Sequence, residues 1–139
     1  MSEEQVTKAI MLFLKEKDWA IMSYDFPQSG TGKVLRSSVN PKKSIIPDII
    51  CTKGNLCILF ENKNKFVPSD FVKLNNLKIS DEYKCALDKF LGTCDYILKV
   101  ATGFPAHPEI TSAMRERFAL VDYVFLVEES SISILGDFV

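Results

Sequence analysis

The chain has 139 residues, 47% apolar and 25% charged, enough for one ordinary hydrophobic core and too few for two comfortable domains. Seventeen basic residues against eighteen acidic ones leave a net charge of −1, which counts against a nucleic-acid binder relying on a global excess of positive charge. No apolar run reaches transmembrane length, the N-terminal residues are acidic and polar, and Cys51, Cys57, Cys85 and Cys94 show no C-x-x-C spacing, so a soluble domain of a reducing, cytoplasmic compartment is expected, without a membrane partner or a zinc site.

Ser2 and Gln5 carry the signature of a capping box, and Val6, Ile10, Phe13, Leu14 and Lys17 recur at helical spacing. They predict an amphipathic first helix ending near Asp18. Residues 19–26, WAIMSYDF, read as a strand, and the following polar stretch to residue 44 reads as a long loop. Two apolar runs follow in IIPDIICTKGNLCILFENKNKF, residues 45–66, divided by a Gly54-Asn55 turn signal. They are the second and third strands. A short helix is expected at 68–79 and a stronger one at 80–92, with Ser80 as N-cap and Gly92 at the end. Residues 95–102 read as a fourth strand, 103–108 as a loop, 109–120 as a helix, and 122–129 with 131–138 as a closing strand pair. The order α-β-β-β-α-β-α-β-β predicts an α/β domain, a mixed central sheet flanked by helices, spanning residues 1–139.

Each apolar run of the hairpin carries one acid, Asp48 in the first and Glu61 near the end of the second. With Gly54-Asn55 as the tight loop, Lys53 opposes Leu56, Thr52 opposes Cys57, Ile50 opposes Leu59, and Asp48 opposes Glu61. Cross-strand partners have Cβ atoms about 4.5–5.5 Å apart, so both carboxylates would point to one side at metal-bridging distance. Alternation puts Lys63 on the same face and turns Asn62 away. Like charges opposite one another destabilise a sheet, and a divalent cation offsets that cost. Carboxylate oxygens suit Mg²⁺, which accepts substrate phosphate as a further ligand. A neighbouring lysine can orient or deprotonate a water, or stabilise charge on phosphorus oxygens. The competing reading makes Asp48 an edge residue beside Pro47 and leaves Glu61 and Lys63 solvated beyond the strand end.

Pro47-Asp48, twelve intervening residues and Glu61-Asn62-Lys63, on the second and third strands of an α-β-β-β-α-β order, resemble the PD-(D/E)XK nuclease superfamily, and among its members the type II restriction endonucleases. The resemblance covers roughly residues 2–102. It implies a restriction-endonuclease-like αβββαβ core with Mg²⁺, or Mn²⁺ in its place, held by Asp48, Glu61 and the main-chain carbonyl of Asn62, and Lys63 at the nucleophile. Many members add an acid from the first helix, and Glu3, on the edge of the apolar stripe, is the candidate while Glu4 points away. The implied activity is Mg²⁺-dependent endonucleolytic cleavage of duplex DNA by a homodimer. Lys33, Arg36, Lys42, Lys43 and Lys65 are expected near DNA phosphates, which position without specifying sequence. Loops at 27–43, 66–80 and 103–108 would read bases.

Other signals are weaker. SGTGK is not a phosphate-binding P-loop, because Pro27 stands where its first Gly is needed and Val34 where Ser or Thr is needed. His107 is the only histidine, so catalytic triads and His-Cys metal sites lack their parts. A structure-selective nuclease, such as a junction resolvase or repair nuclease, and a catalytically silent binding module are the alternative functions.

Overall fold

The first helix, α1 (Glu3–Glu16), is held at its start by the expected box: the Ser2 hydroxyl accepts the Gln5 N–H at 3.1 Å and the Gln5 side chain accepts the Ser2 N–H at 2.7 Å. It buries Val6, Thr7, Ile10, Met11 and Leu14, positions three and four apart on one face. The computed structural model describes residues 1–106 and 109–138; His107 and Pro108, expected in a loop, and Val139 lie outside the described residues. After α1 come β1 (Ala20–Tyr24), β2 (Leu35–Arg36), β3 (Ser44–Ile45), β4 (Ile49–Lys53), β5 (Leu56–Asn62), α2 (Pro68–Ser80), α3 (Lys84–Leu91), β6 (Ile97–Pro105), α4 (Ser112–Phe118), β7 (Tyr123–Val127) and β8 (Ile132–Leu135).

Six strands form one sheet in the order β1-β4-β5-β6-β7-β8. β1, β4 and β5 pair antiparallel, β6 and β7 continue parallel to β5, and β8 returns antiparallel, so the sheet is mixed. The β4–β5 hairpin has the counted register, with Lys53 opposite Leu56, Thr52 opposite Cys57 and Ile50 opposite Leu59. Gly54 makes the turn at φ 59°, a left-handed conformation that its missing Cβ permits.

Side-chain alternation divides the core in two. Ile49, Cys51, Ile58, Phe60 and Phe125 pack under α1, while Ile50, Leu59, Val100, Leu74, Leu77 and Leu87 form the layer beneath α2 and α3. A third group, Phe71, Phe104, Met114 and Val124, fixes α2 and α4 over β6 and β7. Full burial of such side chains stabilises the fold by roughly 1.5–3 kcal/mol each. Among the described residues, no helix is long and apolar enough to cross a membrane.

Three elements differ from the sequence reading. β6 continues through Gly103, Phe104 and Pro105, which had read as loop, because β7 supplies parallel partners for all three. Ser80 closes α2 rather than capping α3: Phe71, Leu74 and Leu77 keep the helical period running, and Asp81 ends it at φ 56°. The polar loop before β4 holds the β2–β3 pair, pinned by the buried Leu35.

Gly103 sits where α1 crosses the sheet, and a Cβ there would collide with the Ile10 side chain and lie 2.8 Å from Asn62 Oδ1. Gly103→Ala is expected to lower stability by about 1–3 kcal/mol through overpacking, measured by urea unfolding against wild type. An unchanged midpoint would mean that α1 is free to shift.

Candidate active site

The hairpin ladder stops one step short of the expected acid pair. Pro47 is buried and has no N–H to extend the strand, and the last paired residues are Ile49 and Phe60. Asp48 instead donates its N–H to Phe60 O at 2.9 Å, while its Oδ2 accepts the Asn62 N–H at 2.6 Å. The carboxylate is thereby fixed to the main chain of the strand that carries Glu61.

Glu61 follows Cys57 and Leu59 in alternation and so faces the α2 side of the sheet. Lys63 continues the strand path by donating its N–H to Gly103 O at 2.9 Å. Its Nζ lies 3.5 Å from Glu61 Oε1, 3.7 Å from Glu3 Oε1 and 4.0 Å from Asp70 Oδ2. Of the two acids opening α1, Glu3 reaches this group, whereas Glu4 pairs with Lys8 on the exposed side. Asn62 points the other way, fully buried, and donates its side-chain amide to Thr7 Oγ1 at 3.1 Å.

Asp70 was not visible as a site residue in the sequence. It is the third residue of α2 and buried, brought to the strand end by the packing of Phe71 against Phe104. The available signal was an acid in the first turn of the helix that follows the Glu-Asn-Lys strand. Lys73, one turn later, also acts on the group by lowering the Glu61 pKa.

Crowding shows in the electrostatics. Burial, then the Glu61 charge, pushes Asp48 up to about 7, against the pull of the Asn62 N–H. Burial also raises Glu61 above the ordinary carboxylate range, although Lys73 and Lys63 oppose it. Partial burial pulls Lys63 down, but Glu61, Asp70 and Glu3 outweigh it and its pKa stands above the ordinary lysine value. Lys63 is therefore a fixed ammonium here, suited to stabilising negative charge and poorly suited to taking a proton.

Among the described residues, no group of three or more His, Cys, Asp or Glu side chains is arranged to hold a metal by itself. Two carboxylates with a main-chain carbonyl and waters are the usual share a protein gives Mg²⁺. Asp48, Glu61 and the Asn62 carbonyl would make a donor set of that hard, all-oxygen kind. Burial, with the neighbouring Glu61 charge, also makes Asp48 a group whose ionised form a cation would stabilise. Cys51 and Cys57 lie in the core, burial pushing the Cys57 thiol up to about 12, and take no part.

The basic residues expected near phosphates are spread out. Lys33 Nζ stacks 5.6 Å from the Phe90 ring and Lys43 Nζ pairs with Glu82 at 3.0 Å. Arg36 and Lys42 are exposed around the β2–β3 pair, and Lys65 is exposed two residues beyond Lys63. Comparison of the chain with family models and with curated proteins finds no match.

A carboxyl raised in the folded state binds its proton more tightly there than in the unfolded chain, where an aspartate titrates near ~3.9. Its penalty is absent below that pH, grows as pH rises and is complete above about 7. In metal-free protein, Asp48→Asn is therefore expected to gain roughly 4 kcal/mol over wild type at pH 8 and almost nothing at pH 4. Thermal melts in a chelator at both pH values check this, and an equal gain at both would remove the electrostatic explanation.

Proposed function

We propose that the chain is a Mg²⁺-dependent DNA endonuclease of the restriction type, hydrolysing phosphodiester bonds of duplex DNA as a homodimer. The observation that carries this reading is the convergence of Asp48, Glu61, Lys63 and Glu3 at one end of the central strand. The topology supports it: α1, the antiparallel set β1-β4-β5, α2, and β6 parallel to β5 follow the αβββαβ order of restriction-endonuclease-like cores, with the β2–β3 pair and α3 as additions.

Asp48, Glu61 and the Asn62 carbonyl would hold Mg²⁺, with Mn²⁺ as a substitute. The bound cation supplies Lewis-acid polarisation of the scissile phosphate and of the attacking water. Lys63 contributes a fixed positive charge where charge develops on the phosphorus oxygens, and Glu3 helps to hold that ammonium. Lys65 lies nearest along the chain for a flanking phosphate, and Lys33, Arg36 and Lys42 would contact the backbone further out. Lys43 is partly neutralised by Glu82, which makes it the weakest of the five. One such site cuts one strand, so a double-strand break calls for two copies related by a two-fold axis.

The test is Mg²⁺-dependent cleavage of plasmid, linear duplex, single strand and four-way junction by wild type and Lys63→Ala. Discrete duplex fragments are expected from wild type, with the rate falling about 10²–10³-fold in the variant. Junction-only cutting would transfer the assignment to a structure-selective nuclease. No cutting by wild type would leave a binding module on the same fold.

A further inference from the structure

The three acids around the Lys63 ammonium are not equivalent. Glu61 is closest, at 3.5 Å, and is also one of the two carboxylates assigned to the cation. A carboxylate engaged by a divalent ion has less charge to offer a lysine. Glu3, at 3.7 Å, has a side chain 35% exposed, and solvent screens such an ion pair. Asp70 is different. Its side chain is 10% exposed, it is short, and it is fixed in the first turn of a 13-residue helix packed on the sheet. Its Oδ2 is buried and accepts no hydrogen bond, yet stands 4.0 Å from Lys63 Nζ. Buried acceptors are nearly always satisfied, so this one calls for a reason.

A shift of the ammonium by about 1 Å would close that gap to charge-assisted hydrogen-bond length. We infer that Asp70 is the positioning residue for Lys63, the acceptor to which the ammonium moves when Glu61 turns to a divalent cation. The inference rests on the nuclease reading. Lys63 then has two stations: beside Glu61 in the metal-free protein, and beside Asp70 once the carboxylate pair is occupied. In the second station the ammonium leaves the cation its ligand and stays at the rim of the site, where it meets substrate oxygens. Asp70 touches neither metal nor substrate and acts on the reaction through the position of Lys63.

The experiment uses the full chain with Mg²⁺ alone as the probe. In wild type labelled with ¹⁵N and ¹³C, adding Mg²⁺ is expected to bring out a coupling through the hydrogen bond from Lys63 Nζ to the Asp70 carboxyl carbon. A Lys63 coupling that stays with Glu61, or none to either acid, overturns the inference. Asp70→Asn is expected to keep Mg²⁺ binding by calorimetry, weakened by no more than the loss of one nearby charge, and to leave KM for duplex DNA unchanged, while kcat falls by about 10²-fold through misplacement of Lys63. Asp70→Glu, which restores a carboxylate on the same helix position, is expected to recover part of that loss. Wild-type turnover in Asp70→Asn sinks the proposal, as does loss of Mg²⁺ binding, which would make Asp70 a metal ligand. Should Asp70→Asn fail to fold, the coupling in wild type decides alone. Wild type that neither binds Mg²⁺ nor cuts DNA overturns the nuclease reading and this inference together, whereas failure of the Asp70 results beside an active wild type overturns the inference only.

Discussion

β5 is paired along both edges, antiparallel to β4 and parallel to β6, and the acid site is assembled around the end of that strand. Its two faces bury different cores, with Ile58 and Phe60 beneath α1 and Cys57 and Leu59 beneath α2 and α3. A slip of one residue would exchange the faces, moving Glu61 into the α1 core and Asn62 out of it. The register is therefore held by two of the three core clusters at once, and the chemistry at the strand end inherits that precision. Asp48 is tied to the same strand through the Asn62 N–H and α1 through the Asn62–Thr7 hydrogen bond, while Lys63, just beyond the strand end, is tied to β6 through the Gly103 carbonyl.

Local sequence rules explain the parts of this arrangement that were readable. A capping box is a three-residue pattern, and a two-residue turn sets the hairpin register by counting, so Ser2, Gln5 and the β4–β5 pairs agree with the reading. The preference for Glu3 over Glu4 came from helical periodicity, and Glu3 is the acid that meets Lys63. Where local and tertiary signals conflicted, the tertiary one prevailed. Ser80 has good cap chemistry, yet the apolar spacing through Leu77 carries α2 past it. Gly103 and Pro105 look like strand breakers, yet β7 pairs with both. Asp70 shows locally only as an acid in a helix's first turn, and it is an aromatic contact between α2 and β6 that brings it to the strand end. The short β2–β3 pair has too few residues for an alternation to register.

The costs of the fold collect where the proposed chemistry does. Four buried side-chain atoms among the described residues accept or donate no hydrogen bond, and two of them, Asn62 Oδ1 and Asp70 Oδ2, belong to the strand end around Lys63. Asp48 and Glu61 are held there against burial and against neighbouring acids, Glu61 and Glu3 for the first and Asp70 for the second. Selection for stability alone would replace such groups with apolar ones, since a half-satisfied polar cluster is worse than a packed core. Local rules broken together at one place fit the proposed site. The charge count agrees with the proposed cation: Glu3, Asp48, Glu61 and Asp70 stand against Lys63 and Lys73, and fully ionised this leaves the group two charges negative. A phosphodiester brought to that group alone would meet repulsion, and a divalent ion is the smallest addition that removes it.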